Sequence, residues 1–245
     1  MPWFVLAFAI AITTVGKAAW GEPATDAVAI EAPTGEPVLH RCPQRLDVVI
    51  RAEVAADAEM ACEGAGRALA FMADMGIDAP PHTNIDIVQE LPGELGGRAV
   101  GCYLRKTRGV LLLSYDTFEA GGEWFRIPVD RELYRSAAAH EMAHAVVGCH
   151  TEPRGLPVAA HEYVAYIVMF ATMDPALRGR LLAKFPGTGF INTLQINDIN
   201  HIVNPNQFGV NAWRHYQRQR RNDRAAWLRD IISGNVVQEL PTEGP

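Results

Sequence analysis

The sequence predicts an α+β fold in which a short N-terminal sheet is followed by a mostly helical C-terminal half. Segments with strand composition lie between residues 46 and 114, whereas apolar residues recur at helical spacing from residue 129 onward. The chain has 245 residues, of which 49% are apolar and 20% are charged. This is enough for one substantial hydrophobic core, so we expect a single folded domain.

The N-terminus has the pattern of an export signal. Residues 3–12 form an apolar run that is too short for a membrane span of about 20 residues, and Ala19 and Gly21 supply small residues for cleavage. We therefore expect a signal peptide over residues 1–21, although an uncleaved anchor is the alternative because no Lys or Arg precedes the run. The protein should be exported, periplasmic or secreted, with no stable membrane span after signal cleavage.

The domain boundaries follow from composition. Residues 22–43 are rich in Pro, Ala, Thr, Glu and Gly and have no periodicity, which is typical of a flexible N-terminal tether. We expect the folded domain over residues 44–235 and a C-terminal tail over 236–245.

The sheet and the flanking helices are predicted element by element. Residues 46–50 have strand composition and residues 57–75 have helical periodicity. Further strands are expected at 84–88, 99–104 and 110–114, and the polar residues 105–109 should connect the last two as a hairpin. In the C-terminal half, Asp174 before Pro175 is typical of a helix start, and residues 223–233 should form the last helix.

Residues 131–148 should form a helix, since they include no Pro and no interior Gly. This helix contains the sequence motif that indicates a catalytic function. The motif is His140-Glu141-Met142-Ala143-His144, whose two histidines project from one helix face, one turn apart. Both imidazoles can reach one Zn²⁺ at about 2.0–2.1 Å, with Glu141 beside the open coordination position. We expect Glu141 to be the base that activates the zinc-bound water.

A catalytic zinc needs a third protein ligand, and the residues leave alternatives open. Glu162 lies 18 positions after His144 in a segment of helical character. His150 is the main rival because it has the spacing of the third ligand in H-E-x-x-H-x-x-G-x-x-H, but Val147 stands where that pattern needs a turn-forming glycine. His161 is a further candidate.

Residues 140–173 resemble gluzincin-type (HExxH, peptidase MA-like) zinc metallopeptidases, in which H-E-x-x-H is followed by a pattern like P-x-W-x-x-E-G-x-A. The positions that match this second pattern are Pro157, Glu162 and Ala165. The Trp and Gly positions hold Ala159 and Tyr163, and no carboxylate follows four residues after Glu162. The resemblance implies a zincin-like fold with an active-site helix, Zn²⁺ bound by His140, His144 and Glu162, and hydrolysis of a peptide or protein substrate.

Two further parts of such a site have candidates. A substrate could bind as an added strand beside the metal, and residues 110–114 are the strand nearest in sequence to the motif helix. A hydrogen-bond donor for the oxyanion could come from His201, His215 or Tyr216 in the C-terminal half.

Charge and cysteine content limit the other function classes. The net charge is −6, which makes nucleic acid an unexpected partner. The four cysteines allow two disulfides in an exported chain, in any of three pairings, and form no C-x-x-C zinc motif. The alternatives to a peptidase are a non-catalytic exported binding domain with the zincin fold and a metal-dependent amidase that acts on a cell-wall amide.

Overall fold

The computed structural model describes residues 37–43, 45–92, 99–151 and 155–236, without the side chain of Leu46. The predicted signal peptide, the tether before residue 37 and the tail after residue 236 lie outside the described residues. Within the described part of the chain, no helix is both long enough and apolar enough to cross a membrane.

The predicted α+β class is confirmed, and the sheet comes first in the chain. It has five strands in the order β1-β2-β3-β5-β4, with β2, β3 and β5 parallel and β1 and β4 antiparallel to their neighbours. The strands are β1 (Val38–Cys42), β2 (Arg45–Ala52), β3 (Thr83–Val88), β4 (Gly101–Leu104) and β5 (Gly109–Leu113). The predicted hairpin is confirmed, because β4 pairs with β5 across a short turn.

The predicted tether ends earlier than expected. Residues 38–42 form β1, which pairs with β2, so the boundary at residue 43 was wrong. Cys42 at the end of this strand forms a disulfide with Cys62 on the first helix. Cys102 and Cys149 are not joined by a disulfide, so one of the two permitted bridges is present.

Eight α-helices occur in the described residues. They are α1 (Ala55–Asp74), α2 (Tyr115–Ala120), α3 (Arg131–Thr151), α4 (Val158–Thr172), α5 (Pro175–Ala183), α6 (Asp198–Val203), α7 (Pro205–Arg218) and α8 (Arg224–Ile232). Asp174 caps α5 by accepting hydrogen bonds from the main-chain nitrogens of Ala176 and Leu177, as its position before Pro175 predicts. A two-stranded hairpin, β6 (Glu123–Trp124) and β7 (Ile127–Pro128), was not predicted.

Helices α3 and α4 lie at the centre of the core, where they pack against each other and against α1. Helix α1 approaches α3 closely at Gly64, where an added Cβ would lie 2.2 Å from the carbonyl oxygen of Arg135. Helix α4 is apolar around most of its circumference and is almost entirely buried, as expected of a central helix. Helix α3 is therefore packed closely against α1, and α4 is enclosed by the core.

Candidate metal centre

Helix α3 holds the predicted motif in a fixed position. The carboxylate of Asp130 accepts a hydrogen bond from the main-chain nitrogen of Leu133 at 2.8 Å, which satisfies one of the unpaired donors at the helix start. Further along this helix, the side chains of His140 and Glu141 are only 5% and 4% exposed. The motif is thus part of the packed interior, where charged groups need partners.

Helix α4 supplies Glu162, the acidic residue of a helix whose other residues are mostly apolar. The start of α4 is capped from a distance, because the main-chain nitrogen of Ala159 donates to the carboxylate of Asp198 at 2.8 Å. Asp198 is the first residue of α6. This bond attaches α6 to the helix that carries Glu162.

His140, His144 and Glu162 converge on one point. The Nε2 atoms of the two histidines are 3.1 Å apart, and they lie 3.4 Å and 3.5 Å from the two carboxylate oxygens of Glu162. Ligand atoms at the corners of a tetrahedron with bonds of about 2.0–2.1 Å are about 3.3–3.4 Å apart. Each histidine nitrogen is thus at about this distance from the other one and from one of the two oxygens of Glu162. Among the described residues, they are the group of His, Cys, Asp and Glu side chains close enough together to hold a metal ion.

The charges in this cluster change the pKa values of its members. Burial alone would raise the pKa of Glu162, but three neighbouring histidines, His144, His140 and His201, outweigh it and lower the pKa to about 2. Burial raises the pKa of Glu141 to about 7, with a further increase from the charge of Glu162 and an opposing effect of His140. Burial lowers the pKa of His144 to about 3. Glu162 is consequently a permanent anion, while Glu141 can gain and lose a proton near neutral pH.

Glu141 packs over the edge strand of the sheet. At Gly101 on β4, an added Cβ would lie 2.6 Å from Cγ of Glu141 and 2.7 Å from its Cδ. Strand β4 pairs with β5 on one side and with none of the other described strands. The guess that residues 110–114 could accept an added strand was wrong, because β5 lies between β3 and β4 and both of its sides are paired.

The two other candidate ligands, His150 and His161, lie outside the group formed by His140, His144 and Glu162. Helix α3 continues through Gly148 to Thr151, so there is no turn that could bring His150 back to the motif. The Nε2 atom of His150 instead forms a hydrogen bond with the carbonyl oxygen of Asp78 at 2.8 Å. His161 is buried with its ring centroid 6.0 Å from that of His144, and its Nε2 has no hydrogen-bond partner among the described atoms.

Of the three predicted oxyanion donors, only His201 lies beside the cluster. Its Nε2 is 3.5 Å from a carboxylate oxygen of Glu162. His215 instead contacts the hydroxyl of Tyr163 at 2.7 Å, and the hydroxyl of Tyr216 donates to the sulfur of Met75. The His201 contact spans two helices, α4 and α6, and residue spacing alone could not have identified it.

Sequence reasoning missed Tyr166, whose ring centroid lies 4.6 Å from that of His140. It stands four residues after Glu162, at the position where this chain lacks the carboxylate of the gluzincin-type pattern. Burial raises the pKa of its hydroxyl well above 10, and the charges of Glu162 and Glu141 raise it further. The four-residue spacing on a helix could have identified this neighbour, because residues at that separation share a face.

The comparisons with known proteins add a family and no activity. No curated protein and no solved structure matches the chain. A family model described as a family of unknown function, DUF6639, matches residues 48–241, a range that begins within β2 and includes every residue of the candidate metal centre. The chain therefore belongs to the DUF6639 family.

Proposed function

We propose that this protein is a zinc-dependent metallopeptidase that hydrolyses peptide bonds outside the cytoplasm. The observation that carries the proposal is the 3.1–3.5 Å separation of the ligand atoms of His140, His144 and Glu162. A second observation supports it: Glu141, next to one ligand in sequence, is buried without being part of the cluster. A purely structural zinc site has no use for such a carboxylate.

The histidine pair supports a metal more directly than it supports a metal-free network. Two Nε2 atoms 3.1 Å apart can form a hydrogen bond only if one of them carries a proton, yet both also lie near the same carboxylate. With the protons on the Nδ1 atoms, both Nε2 lone pairs are available to one cation. The Nδ1 of His140 then donates to none of the described atoms, so its ring is held by packing.

The residues divide the chemistry among themselves. Zinc, when bound, supplies a Lewis acid that polarises the scissile carbonyl and the attacking water. Glu141 accepts a proton from the water and passes it to the leaving amine. Burial of its carboxyl raises its pKa, which favours proton uptake by this side chain. The side of β4 that faces away from β5 pairs with no other described strand and lies next to Glu141, so it is suited to hold an extended peptide as an added strand. This arrangement is similar to the zincin-like site that the gluzincin resemblance implies.

The proposed location outside the cytoplasm rests on a disulfide and on the composition of the N-terminus. The Cys42–Cys62 disulfide is of the kind that persists in oxidising compartments, and residues 1–21 have the composition of a secretory signal. Both are expected of a periplasmic or secreted protein.

The first experiment is elemental analysis of the purified chain for zinc. We expect stoichiometric zinc in the wild type and in Glu141→Gln, and its loss in Glu162→Ala. His150→Ala is the matched control, because this histidine is on α3 but contacts Asp78 instead of the cluster. Loss of zinc from His150→Ala alone would show that the ligand assignment is wrong.

Activity is then measured on peptides and on cell-wall amides side by side. Glu141→Gln should retain zinc but lose at least about 100-fold in turnover, since general-base catalysis contributes factors of this size. Cleavage of cell-wall amides alone would make the amidase alternative correct. If the folded wild type holds no zinc even after zinc is supplied, the enzyme proposal fails and the binding domain becomes the better interpretation.

A further inference from the structure

Large apolar side chains are concentrated on the surface of one short segment. Nine such side chains are exposed among the described residues, and five of them lie between residues 191 and 203, each 68–79% exposed. They are Ile191, Leu194, Ile199, Ile202 and Val203. Single exposed apolar residues are ordinary, but a group of five in one short segment indicates an interaction surface.

Helix α6, which forms part of the 191–203 segment, has the reverse of the usual amphipathic order. It contains no buried residue. Its polar side chains contact α4, because the carboxylate of Asp198 accepts a hydrogen bond from the main chain of α4 and His201 contacts Glu162. Its three aliphatic side chains are at least 73% exposed. A helix on the surface of a globular protein ordinarily places its apolar side chains toward the core, so those of α6 are available to a partner.

The main chain of the 191–203 segment is satisfied by the segment's own side chains. The amide oxygen of Gln195 accepts from the main-chain nitrogen of Ile191, and the amide nitrogens of Asn197 and Asn200 donate to the carbonyl oxygens of Leu194 and Gln195, all at 2.6–2.9 Å. The amide oxygen of Asn197 also accepts from the main-chain nitrogen of Asn200 at 3.0 Å. Main-chain groups paired in this way lose little when water is removed, which is what contact with lipid requires.

Cations lie at one end of this apolar surface. Residues 175–224 contain eight Lys and Arg and only two Asp, although the whole chain has a net charge of −6. Arg218 donates to the main-chain carbonyl of Phe190, next to the start of the segment. Arg220 and Arg221 follow shortly after it, are exposed, and take part in no ion pair within the described part of the chain. Exposed aliphatic side chains beside free cations are suited to a membrane that carries anionic lipids.

We propose that the 191–203 segment binds the surface of an anionic lipid membrane, with its aliphatic side chains among the acyl chains and the neighbouring arginines at the lipid phosphates. A second copy of the chain or an apolar peptide could also cover the aliphatic side chains, but neither would account for the cations. His201 of this segment is 3.5 Å from Glu162, so membrane binding would hold the candidate metal centre next to the bilayer. The proposal does not depend on the peptidase function.

The test is co-sedimentation of the purified chain with vesicles of phosphatidylcholine, with and without phosphatidylglycerol. The wild type should bind the anionic vesicles more tightly. The double variant Ile199→Ser/Ile202→Ser should bind them about 100-fold more weakly, since burial of one aliphatic side chain contributes about 10-fold or more. Leu39→Ser is the matched control, because Leu39 is 65% exposed but lies on β1, and it should bind as the wild type does. All variants share one N-terminus, so residues 3–12 contribute equally to each.

A second variant tests the charges. Arg220→Gln/Arg221→Gln should weaken binding to the anionic vesicles by about 5-fold for each charge removed, and added salt should reduce this difference. The melting temperature of every variant should match that of the wild type, because each replaced side chain is exposed.

Two results would overturn the proposal. One is a wild type that does not bind anionic vesicles, and the other is equal binding by the wild type and the isoleucine variant. If light scattering then shows self-association that the isoleucine variant loses, the surface belongs to a second copy of the chain. No step of the test uses zinc or a peptide substrate, so its outcome is separate from that of the proposed peptidase function.

Discussion

Replacement of Gly101 by alanine is expected to displace the proposed catalytic base without removing any ligand. The new Cβ would lie 2.6 Å and 2.7 Å from Cγ and Cδ of Glu141, and 2.7 Å from the carbonyl oxygen of Leu111. Carbon atoms in contact are ordinarily about 3.5–4.0 Å apart, so the groups must separate by about 1 Å. Leu111 pairs with Cys102 in the β4–β5 hairpin and cannot withdraw without disturbing that pairing. Most of the movement should therefore fall on Glu141.

The expected effect on activity is larger than the effect on stability. A misplacement of about 1 Å at a reacting group can cost about 100-fold in rate. Overpacking in a core typically costs about 1–3 kcal/mol of unfolding free energy. The fall in melting temperature should be about 2–4 °C for each kcal/mol in a domain of this size. Zinc content should be unchanged, because the substitution displaces none of the proposed ligands, His140, His144 and Glu162.

The assay compares peptide turnover, zinc content and melting temperature of Gly101→Ala with those of Gly66→Ala. Gly66 lies on α1 with open space around its Cα, so an added Cβ meets no atom within 4 Å. Gly66→Ala should therefore keep full activity. Wild-type turnover of a folded Gly101→Ala protein would refute the idea that Glu141 must sit against this strand. Loss of zinc along with activity would show that the substitution distorts the ligands instead.

Three further predictions concern stability. Gly64→Ala should lower the unfolding free energy by about 1–3 kcal/mol, because the new Cβ would lie 2.2 Å from the carbonyl oxygen of Arg135 and push α1 away from α3. A denaturant titration measures this change, and an unchanged midpoint would contradict the close packing of the two helices. Replacing Cys42 and Cys62 by serine should cost about 3 kcal/mol, as expected for a loop closed across 20 positions, and addition of a reductant should then have no further effect on the stability of the variant. Burial lowers the pKa of His215 to about 4 in the folded protein, so the unfolded state takes up its proton first as the pH falls from about 6.5 to 4, and stability should decline across that window. Melting temperatures measured over this range should decline less steeply in His215→Gln, and equal slopes would refute the assignment.

Local patterns were sufficient for most of the elements. The spacing of apolar residues predicted α1 and α3, and the polar turn between two strand-like segments predicted the β4–β5 hairpin. Strand β1 was missed because it is only five residues long and lies between Pro37 and Pro43, so its sequence has no clear strand periodicity. Its order comes from pairing with β2 and from the disulfide, both contacts with later residues.

The end of α3 shows why a glycine was misleading. Gly148 was expected at the end of the helix, but it lies inside α3, where an added Cβ would be 2.4 Å from the ring of Tyr103. Glycine is present there to admit a neighbouring side chain and not to start a turn. The sequence contains no local sign of this contact, since it depends on where β4 lies relative to α3.

The residues of the candidate site also differ in whether local sequence patterns predict them. His140, Glu141 and His144 follow from spacing within one helix, and Glu162 followed from the pattern of a known family. The contact of His201 with Glu162 and the closeness of Gly101 to Glu141 each join residues about 40 positions apart. Such contacts are set by how helices and strands pack, which residue spacing does not encode.

The three proposed ligands come from only two helices, and this has a consequence for how the protein responds to metal. An ion held by His140 and His144 on α3 and by Glu162 on α4 would tie the two central helices together. Binding to the folded state alone then raises the unfolding free energy with the logarithm of the zinc concentration. A distant core substitution that loosens the packing of α3 on α4 would therefore weaken zinc binding as well as the fold, and a chelator would lower the melting temperature of the wild type by more than that of Glu162→Ala.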